Sequence, residues 1–179
     1  MPISDVLQHP VHTYVQAAGE IEPARAESRM SAYIYGDILV LAATAGVSRG
    51  DIHSGRALLV VLGTVLSTYI AHALADIVGA ALTGHSLSGI VGDELRDSIP
   101  VASAGMPSLA LLGAAALGWP ATLWAQSLAC AVLIARLGLT GLVYRRLHSG
   151  MSVHRGVRFG IAVALVAAVV VAIKLALTH

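Results

Sequence analysis

The sequence predicts an all-α, polytopic membrane protein, a bundle of five transmembrane helices. Of its 179 residues, 56% are hydrophobic and only 12% are charged, about half the charged fraction of a typical soluble domain. The mean hydropathy is +0.78. The apolar residues are mostly Ala, Val, Leu, Ile and Gly, the composition of closely packed membrane helices.

Five apolar segments approach the roughly 20 residues that a transmembrane helix needs. We number these predicted spans in chain order. They cover residues 30–47, 57–78 with a possible extension towards residue 83, 101–118, 121–144 directly after Pro120, and 157–177. Residues 30–179 therefore form one transmembrane domain.

Residues 1–29 are predicted to be a polar cytoplasmic tail. They contain acidic residues and three prolines but no apolar core followed by a cleavage site, which excludes a signal peptide. The prolines, Pro2, Pro10 and Pro23, also argue against a long helix in this tail.

The connection between the second and third spans allows two interpretations. Residues 86–99, SLSGIVGDELRDSI, place their apolar side chains at near-helical spacing. This pattern favours an amphipathic helix on the membrane surface, although Glu94 falls within the apolar arc. The alternative is a cytoplasmic extension of the second span.

The Arg and Lys residues predict the orientation. Five spans put the tail, the second connection and the fourth connection on one side, and cytoplasmic loops are enriched in Arg and Lys. Seven such residues lie on that side: Arg25, Arg29, Arg96, Arg145, Arg146, Arg155 and Arg158. Three lie on the other: Arg49, Arg56 and Lys174. We therefore expect a cytoplasmic N-terminus and an extracytoplasmic C-terminus.

Ionisable residues within three spans form the main candidate site. At about 1.5 Å per residue, Asp37, His72 and Arg136 all lie roughly 8–12 Å deep from the cytoplasmic side. Each unpaired charge at such depth costs about 2.5–3.5 kcal/mol. We therefore expect Asp37 and Arg136 to approach each other or to share His72. Tyr33, Thr68 and Asp76 complete this predicted buried polar cluster.

Two rows at four-residue spacing run along the second span. One row, with Thr68, His72 and Asp76, is polar and is expected to face the protein interior, since residues at i and i+4 share a helix face. The neighbouring row is small and is predicted to be a helix-packing face. Its members are Gly63, Ser67, Ala71, Ala75 and Gly79.

Several roles for the buried cluster remain open. It could have a purely structural role and fix the helix register, it could take part in proton or cation movement, or it could bind a substrate or lipid headgroup. His72, Asp76 and Asp37 could ligate a metal, but Arg136 would repel a cation and zinc sites usually have more His or Cys. We therefore expect no metal and no cofactor.

Other functional classes have weaker support. No phosphate-binding loop, nucleophile elbow or zinc-protease motif is present, and His85, Asp93, Glu94 and Asp97 are better explained as a solvated face than as an active site. We do not expect an enzyme. A net charge of +1 implies no nucleic-acid partner. The expected partners are membrane lipids and either copies of the chain or a larger membrane complex, in which it would be a non-catalytic accessory subunit.

Three runs carry a resemblance: YIYGDILVLAA, LGTVLSTYIAHALAD and ELRDSIPV. They resemble those of small, uncharacterised polytopic membrane proteins of high-GC bacteria, over most of the chain beyond Arg29. The resemblance implies a bacterial plasma membrane protein. Our leading functional hypothesis is a small proton- or cation-linked transporter or channel component.

Overall fold

The described part of the chain is helical and contains no strand. The computed structural model describes residues 23–84, 87–119, 121–147 and 152–178. Its helices are α1 (Pro23–Gly46), α2 (Arg49–His53), α3 (Arg56–Leu82), α4 (Leu87–Asp97), α5 (Ile99–Ala116), α6 (Thr122–Leu147) and α7 (Val153–Thr178).

Among the described residues, four helical stretches are long and apolar enough to cross a membrane. They are Arg56–Leu82, Val91–Ala116, Thr122–Arg145 and Val153–Leu177. Each overlaps one of the predicted second to fifth spans, because each has a continuous apolar run that a helix can bury in lipid without unsatisfied backbone groups. By length and composition, the chain is a membrane protein.

The first helix begins earlier than the sequence predicted. α1 starts at Pro23, seven residues before the predicted start, so the last part of the predicted polar tail is helical. Proline is favoured at the first helical position, because its missing N–H would have no partner there. Taking Pro23 as evidence against a helix was therefore wrong. Residues 1–22 lie outside the described residues.

The segment after α3 is a separate helix. α3 ends at Leu82, and Gly84 has a φ of +87°, a left-handed conformation that favours glycine and turns the chain. The alternative prediction, a continuous extension of the second span, is therefore wrong. The hydroxyl of Tyr69 on α3 donates a 2.9 Å hydrogen bond to the Leu95 carbonyl of α4, which ties the two helices together.

α1 is the central helix of the bundle, because it packs against α3, α5, α6 and α7. Its contact with α5 is close at Gly36, where an added methyl carbon would lie 2.9 Å from Val101 Cα. Further along, the buried hydroxyls of Thr44 on α1 and Ser108 on α5 form a 2.9 Å hydrogen bond. At the end of α1, Gln126 Nε2 of α6 donates to the Thr44 and Val47 carbonyls at 3.0 and 2.9 Å.

α6 and α7 form a hairpin with a glycine seam, which we define as Gly138, Gly141, Gly156 and Gly160. A methyl group on Gly160 would overlap the Gly138 carbonyl oxygen, and one on Gly141 would overlap the Gly156 carbonyl oxygen. The backbones can approach this closely only because Gly141 and Gly160 have no side chain. Near the same end, the rings of Tyr144 and Phe159 stack with centroids 4.5 Å apart.

Candidate functional site

The structure brings Asp37 of α1 together with Arg136 of α6. Arg136 Nε donates a hydrogen bond to Asp37 Oδ2 at 3.2 Å. The Asp37 side chain is 0% exposed and that of Arg136 is 22% exposed. A carboxylate with so little access to water depends on this guanidinium for charge compensation, because burying an unpaired charge costs several kcal/mol.

Side chains from two neighbouring helices, α1 and α5, orient the guanidinium. Arg136 Nη2 donates to Ser103 Oγ of α5 at 3.3 Å. Its Cζ atom lies 4.9 Å from the centroid of the Tyr33 ring of α1, within the range of a cation–π interaction. The Tyr33 hydroxyl in turn donates a 3.4 Å hydrogen bond to the Arg136 carbonyl. The ion pair thus joins α1, α5 and α6 at one level.

No described residue forms a hydrogen bond with the second oxygen of Asp37. Asp37 Oδ1 is buried and unpaired, although a carboxylate can accept several hydrogen bonds. Such an unsatisfied group requires an explanation, because buried polar atoms in native proteins are nearly always paired. In a membrane protein, one explanation is a functional group that binds an ion.

A second polar cluster, which we call the Ser28 cluster, lies between α1 and α3. It consists of Ser28, His72 and Asp76. Ser28 Oγ donates to Asp76 Oδ2 at 3.1 Å, and His72 Nε2 lies 3.7 Å from the same oxygen. His72 Nε2 is buried, and no residue in the described part of the chain forms a hydrogen bond with it.

The predicted buried polar cluster is therefore divided in two. Asp37, Arg136 and Tyr33 meet, whereas His72 pairs with Asp76, which also accepts a hydrogen bond from Ser28. Thr68 is buried on the same face of α3 as His72. Of the two predicted arrangements, the described contacts show the first: Asp37 and Arg136 bind each other directly and do not share His72.

The predicted helix-packing row faces away from the rest of the described bundle. Gly63, Ser67, Ala71, Ala75 and Gly79 are all exposed on α3, and none of the described residues lies within 4 Å of an added methyl group at Gly63 or Gly79. Its role as a packing face stays a prediction. α3 instead buries Ala57, Val61 and Val65, because these residues lie on the side of its polar row.

The sequence analysis did not identify Ser28 or Ser103. Ser28 was assigned to the tail, and Ser103 lies in an apolar run where a single serine gives no pattern. The signal that could have found Ser103 is depth: it lies four residues into α5, near the predicted level of Arg136. Within the described residues, no group of three or more His, Cys, Asp or Glu residues could hold a metal ion.

These observations define the class: a polytopic helical membrane protein with an ion pair buried between its helices. No protein-family model, curated protein or solved structure matches the chain.

Proposed function

We propose that this chain is a five-span protein of a bacterial plasma membrane that moves protons or a small cation, with Asp37 as the ion-binding group. The observation that carries the proposal is the Asp37 carboxylate, which is fully buried, bound to Arg136 through one oxygen and unsatisfied at the other.

α1, which contains the predicted first span, is proposed to cross the membrane in addition to the four apolar helices. It has 24 residues, enough for about 36 Å at 1.5 Å per residue, and it packs against all four of the apolar helices. A central helix contacts little lipid, so it can carry Asp37 and Tyr33 and still cross the bilayer. This arrangement explains why its sequence is less apolar than those of its neighbours.

The distribution of charge supports a cytoplasmic N-terminus. With α1 as a span, Arg29, Arg96, Arg145, Arg155 and Arg158 lie at one end of the bundle, which we call the basic end. Arg49 and Arg56 lie at the opposite end. The positive-inside rule places the basic end in the cytoplasm. Exposed Trp119 and Trp124 would then lie near the outer membrane interface, which tryptophan favours.

The amphipathic helix α4 is proposed to lie at the cytoplasmic membrane interface. Val91 and Leu95 are exposed, whereas Asp97 is buried and lies 3.8 Å from Arg29 of α1. Exposed apolar side chains beside an inward-facing charge suit a helix that rests on lipid with one side and on the bundle with the other.

The ion pair couples ion binding to a change in structure. When Asp37 takes up a proton, Arg136 keeps its charge but loses its anionic partner. Its other contacts, Ser103 and the Tyr33 ring, are neutral. An uncompensated guanidinium at membrane depth is unfavourable, so proton uptake would drive either movement of Arg136 or release of the proton.

The test is ion flux in proteoliposomes that contain a pH-sensitive dye. The wild-type protein should dissipate an imposed pH gradient, and Asp37→Asn should abolish this flux, because the amide cannot exchange a proton at that position. Asp51→Asn is a matched control, since Asp51 lies in the loop between α1 and α3. Equal flux in wild type and Asp37→Asn would contradict the proposal.

A second candidate function is an accessory subunit of a larger membrane complex. The observation that favours it is the exposed small row of α3, which would allow another helix to approach closely. Purification in mild detergent would then yield a stoichiometric heteromeric complex. A monodisperse species that contains only this chain would argue against the accessory role.

A further inference from the structure

We infer that the Ser28 cluster is a cytoplasmic inlet through which protons reach Asp37, so that the transported ion is the proton. This inference rests on the proposed function. It concerns residues of α1 and α3 that the ion pair does not contact, and it narrows the choice between a proton and a metal cation.

Exposure decreases from the Ser28 cluster towards Asp37. The Asp76 side chain is 28% exposed and that of His72 is 14% exposed, whereas that of Asp37 is 0% exposed. His72 lies one helical turn further into the bundle than Asp76. Polar groups therefore lead inward from the basic end, and each is less accessible than the one before it.

The opposite side of Asp37 is sealed by apolar side chains. Val40, Ala104 and Leu133 lie about one turn further out on α1, α5 and α6. All three are 0% exposed and belong to one contiguous apolar core. A proton cannot enter through such a layer without polar partners, so in this conformation access to Asp37 comes from the basic end.

The distances allow a relay with one or a few waters. Ser28 and Asp37 are nine residues apart on α1, or roughly 13 Å along the axis. Since Ser28 contacts Asp76, and His72 lies four residues or roughly 6 Å inward from it, about 7 Å of axial separation remains between His72 and Asp37. That gap is too long for a hydrogen bond, which needs about 2.6–3.2 Å between heavy atoms.

The chemistry of the relay is a transfer of one proton. His72 Nε2, which makes no hydrogen bond, accepts a proton from cytoplasmic water, and the resulting imidazolium is compensated by Asp76. The imidazolium then loses a proton to water on the way to Asp37 Oδ1, which becomes a carboxylic acid. Imidazole suits this role because it changes charge between about pH 5 and 8.

The helices packed against α3 determine which charged groups surround His72. α3 packs against α1, α2, α4 and α5. α5 has no titratable residue within Ile99–Ala116, and the charged groups of α2 lie at the opposite end. Arg29 of α1 lies 3.8 Å from Asp97 of α4. The other charged residues of α4 are Asp93, Glu94 and Arg96.

A metal cation is less compatible with this arrangement. Arg136 Nε occupies one Asp37 oxygen at 3.2 Å, and its positive charge would oppose a second cation nearby. Hard cations need several oxygen ligands around one point, whereas a proton needs only the free oxygen Oδ1.

The test compares His72→Gln with His53→Gln, a matched control on the exposed helix α2. In proteoliposomes, the initial proton flux of His72→Gln should fall at least about tenfold, as for the loss of a proton-transfer group. The dependence of the flux on the pH at the basic end should also be lost, because glutamine cannot take up a proton. His53→Gln should retain wild-type flux. Replacing the proton gradient with a sodium or potassium gradient should produce no Asp37-dependent flux.

The outcomes separate the inference from the proposed function. Flux that is abolished by Asp37→Asn but unchanged in rate and pH dependence by His72→Gln would overturn the inlet and leave the proposed function standing. Asp37-dependent flux of a metal cation would overturn the proton assignment alone. Wild-type protein without Asp37-dependent flux would overturn both. A circular dichroism spectrum equal to that of wild type shows that His72→Gln is folded.

A second variant tests the role of Asp76. Asp76→Asn should lower the initial proton flux, because the imidazolium of His72 loses its anionic partner. An initial flux equal to that of wild type would overturn the proposed pairing of the two residues in the relay.

Discussion

The two faces of α6 hold their neighbouring helices by different physical means. Towards α7, Gly141 has no side chain, so the two backbones can meet at the glycine seam. Towards α1 and α5, Arg136 reaches Asp37 and Ser103 through a long polar side chain.

The difference shows that close backbone packing and charge pairing have different roles in a membrane protein. Lipid tails are as apolar as leucine, so helices associate through packing and interhelical hydrogen bonds. The glycine seam gains dispersion contacts over a continuous surface, and it has one arrangement. The ion pair has two charge states, so it can respond to a proton, whereas the seam cannot.

The largest effect is expected on the charged face of α6. Arg136→Leu should lower the free energy of unfolding by about 3–5 kcal/mol, because it leaves Asp37 buried without a partner. The double variant Asp37→Asn with Arg136→Leu should lose clearly less. Thermal unfolding in detergent measures the stability of the two single variants, Arg136→Leu and Asp37→Asn, and of the double variant. If the two single losses simply add in the double variant, Asp37 and Arg136 do not form an energetic pair.

The glycine face should respond to a single methyl group. Gly160→Ala should destabilise the protein by about 1–3 kcal/mol, because the added carbon overlaps a backbone carbonyl that cannot move aside. Gly138→Ala is the matched control in the same seam, since nothing lies within 4 Å of its added methyl group. Similar melting temperatures for the two variants would contradict the described contact.

A neutral polar contact on the charged face should be worth less than the ion pair. Gln126→Leu removes the donor that binds the last carbonyls of α1 and should cost about 1–2 kcal/mol. Ser127→Ala, at the exposed neighbouring residue, should leave the stability unchanged. A Gln126→Leu variant as stable as wild type would show that these carbonyls have other donors.

Outside the bundle, the loop helix α2 should show a small dependence on pH. Hydrogen bonds from the side chain and backbone N–H of Ser48 hold the pKa of Asp51 below its usual value. A carboxyl group with a lowered pKa stabilises the folded state above its unfolded pKa, near 4, and this contribution disappears as the pH falls through the folded pKa. Asp51→Ala should therefore have a lower melting temperature than wild type at pH 7. In strong acid the two proteins should have the same melting temperature.

The exposed small row of α3 should be the least sensitive. Gly63→Ala should leave the free energy of unfolding unchanged or raise it by at most about 1 kcal/mol, the difference in helix propensity between Gly and Ala. The added methyl group meets open space, so it causes no clash. A lower melting temperature, together with a smaller particle in detergent, would instead show that this row packs against a second chain.

The sequence predicted the apolar helices and the level of the ion pair from local information. An apolar run of sufficient length, with a polar segment at each end, specifies a helix whatever its neighbours are. Depth follows from the helical rise, so Asp37 and Arg136 could be placed at one level before their contact was known. The start of α1 was predicted incorrectly because Pro23 suits a helix start as well as a tail.

The tertiary structure alone decided which faces meet. Both α3 and the α6–α7 hairpin have small residues suited to close packing, yet only the glycines of the hairpin are buried by another helix, while Gly63 and Gly79 remain open. Because lipid does not distinguish one apolar helix from another, the rotation of each helix depends on all its neighbours at once. For the same reason His72 pairs with Asp76 rather than with Asp37.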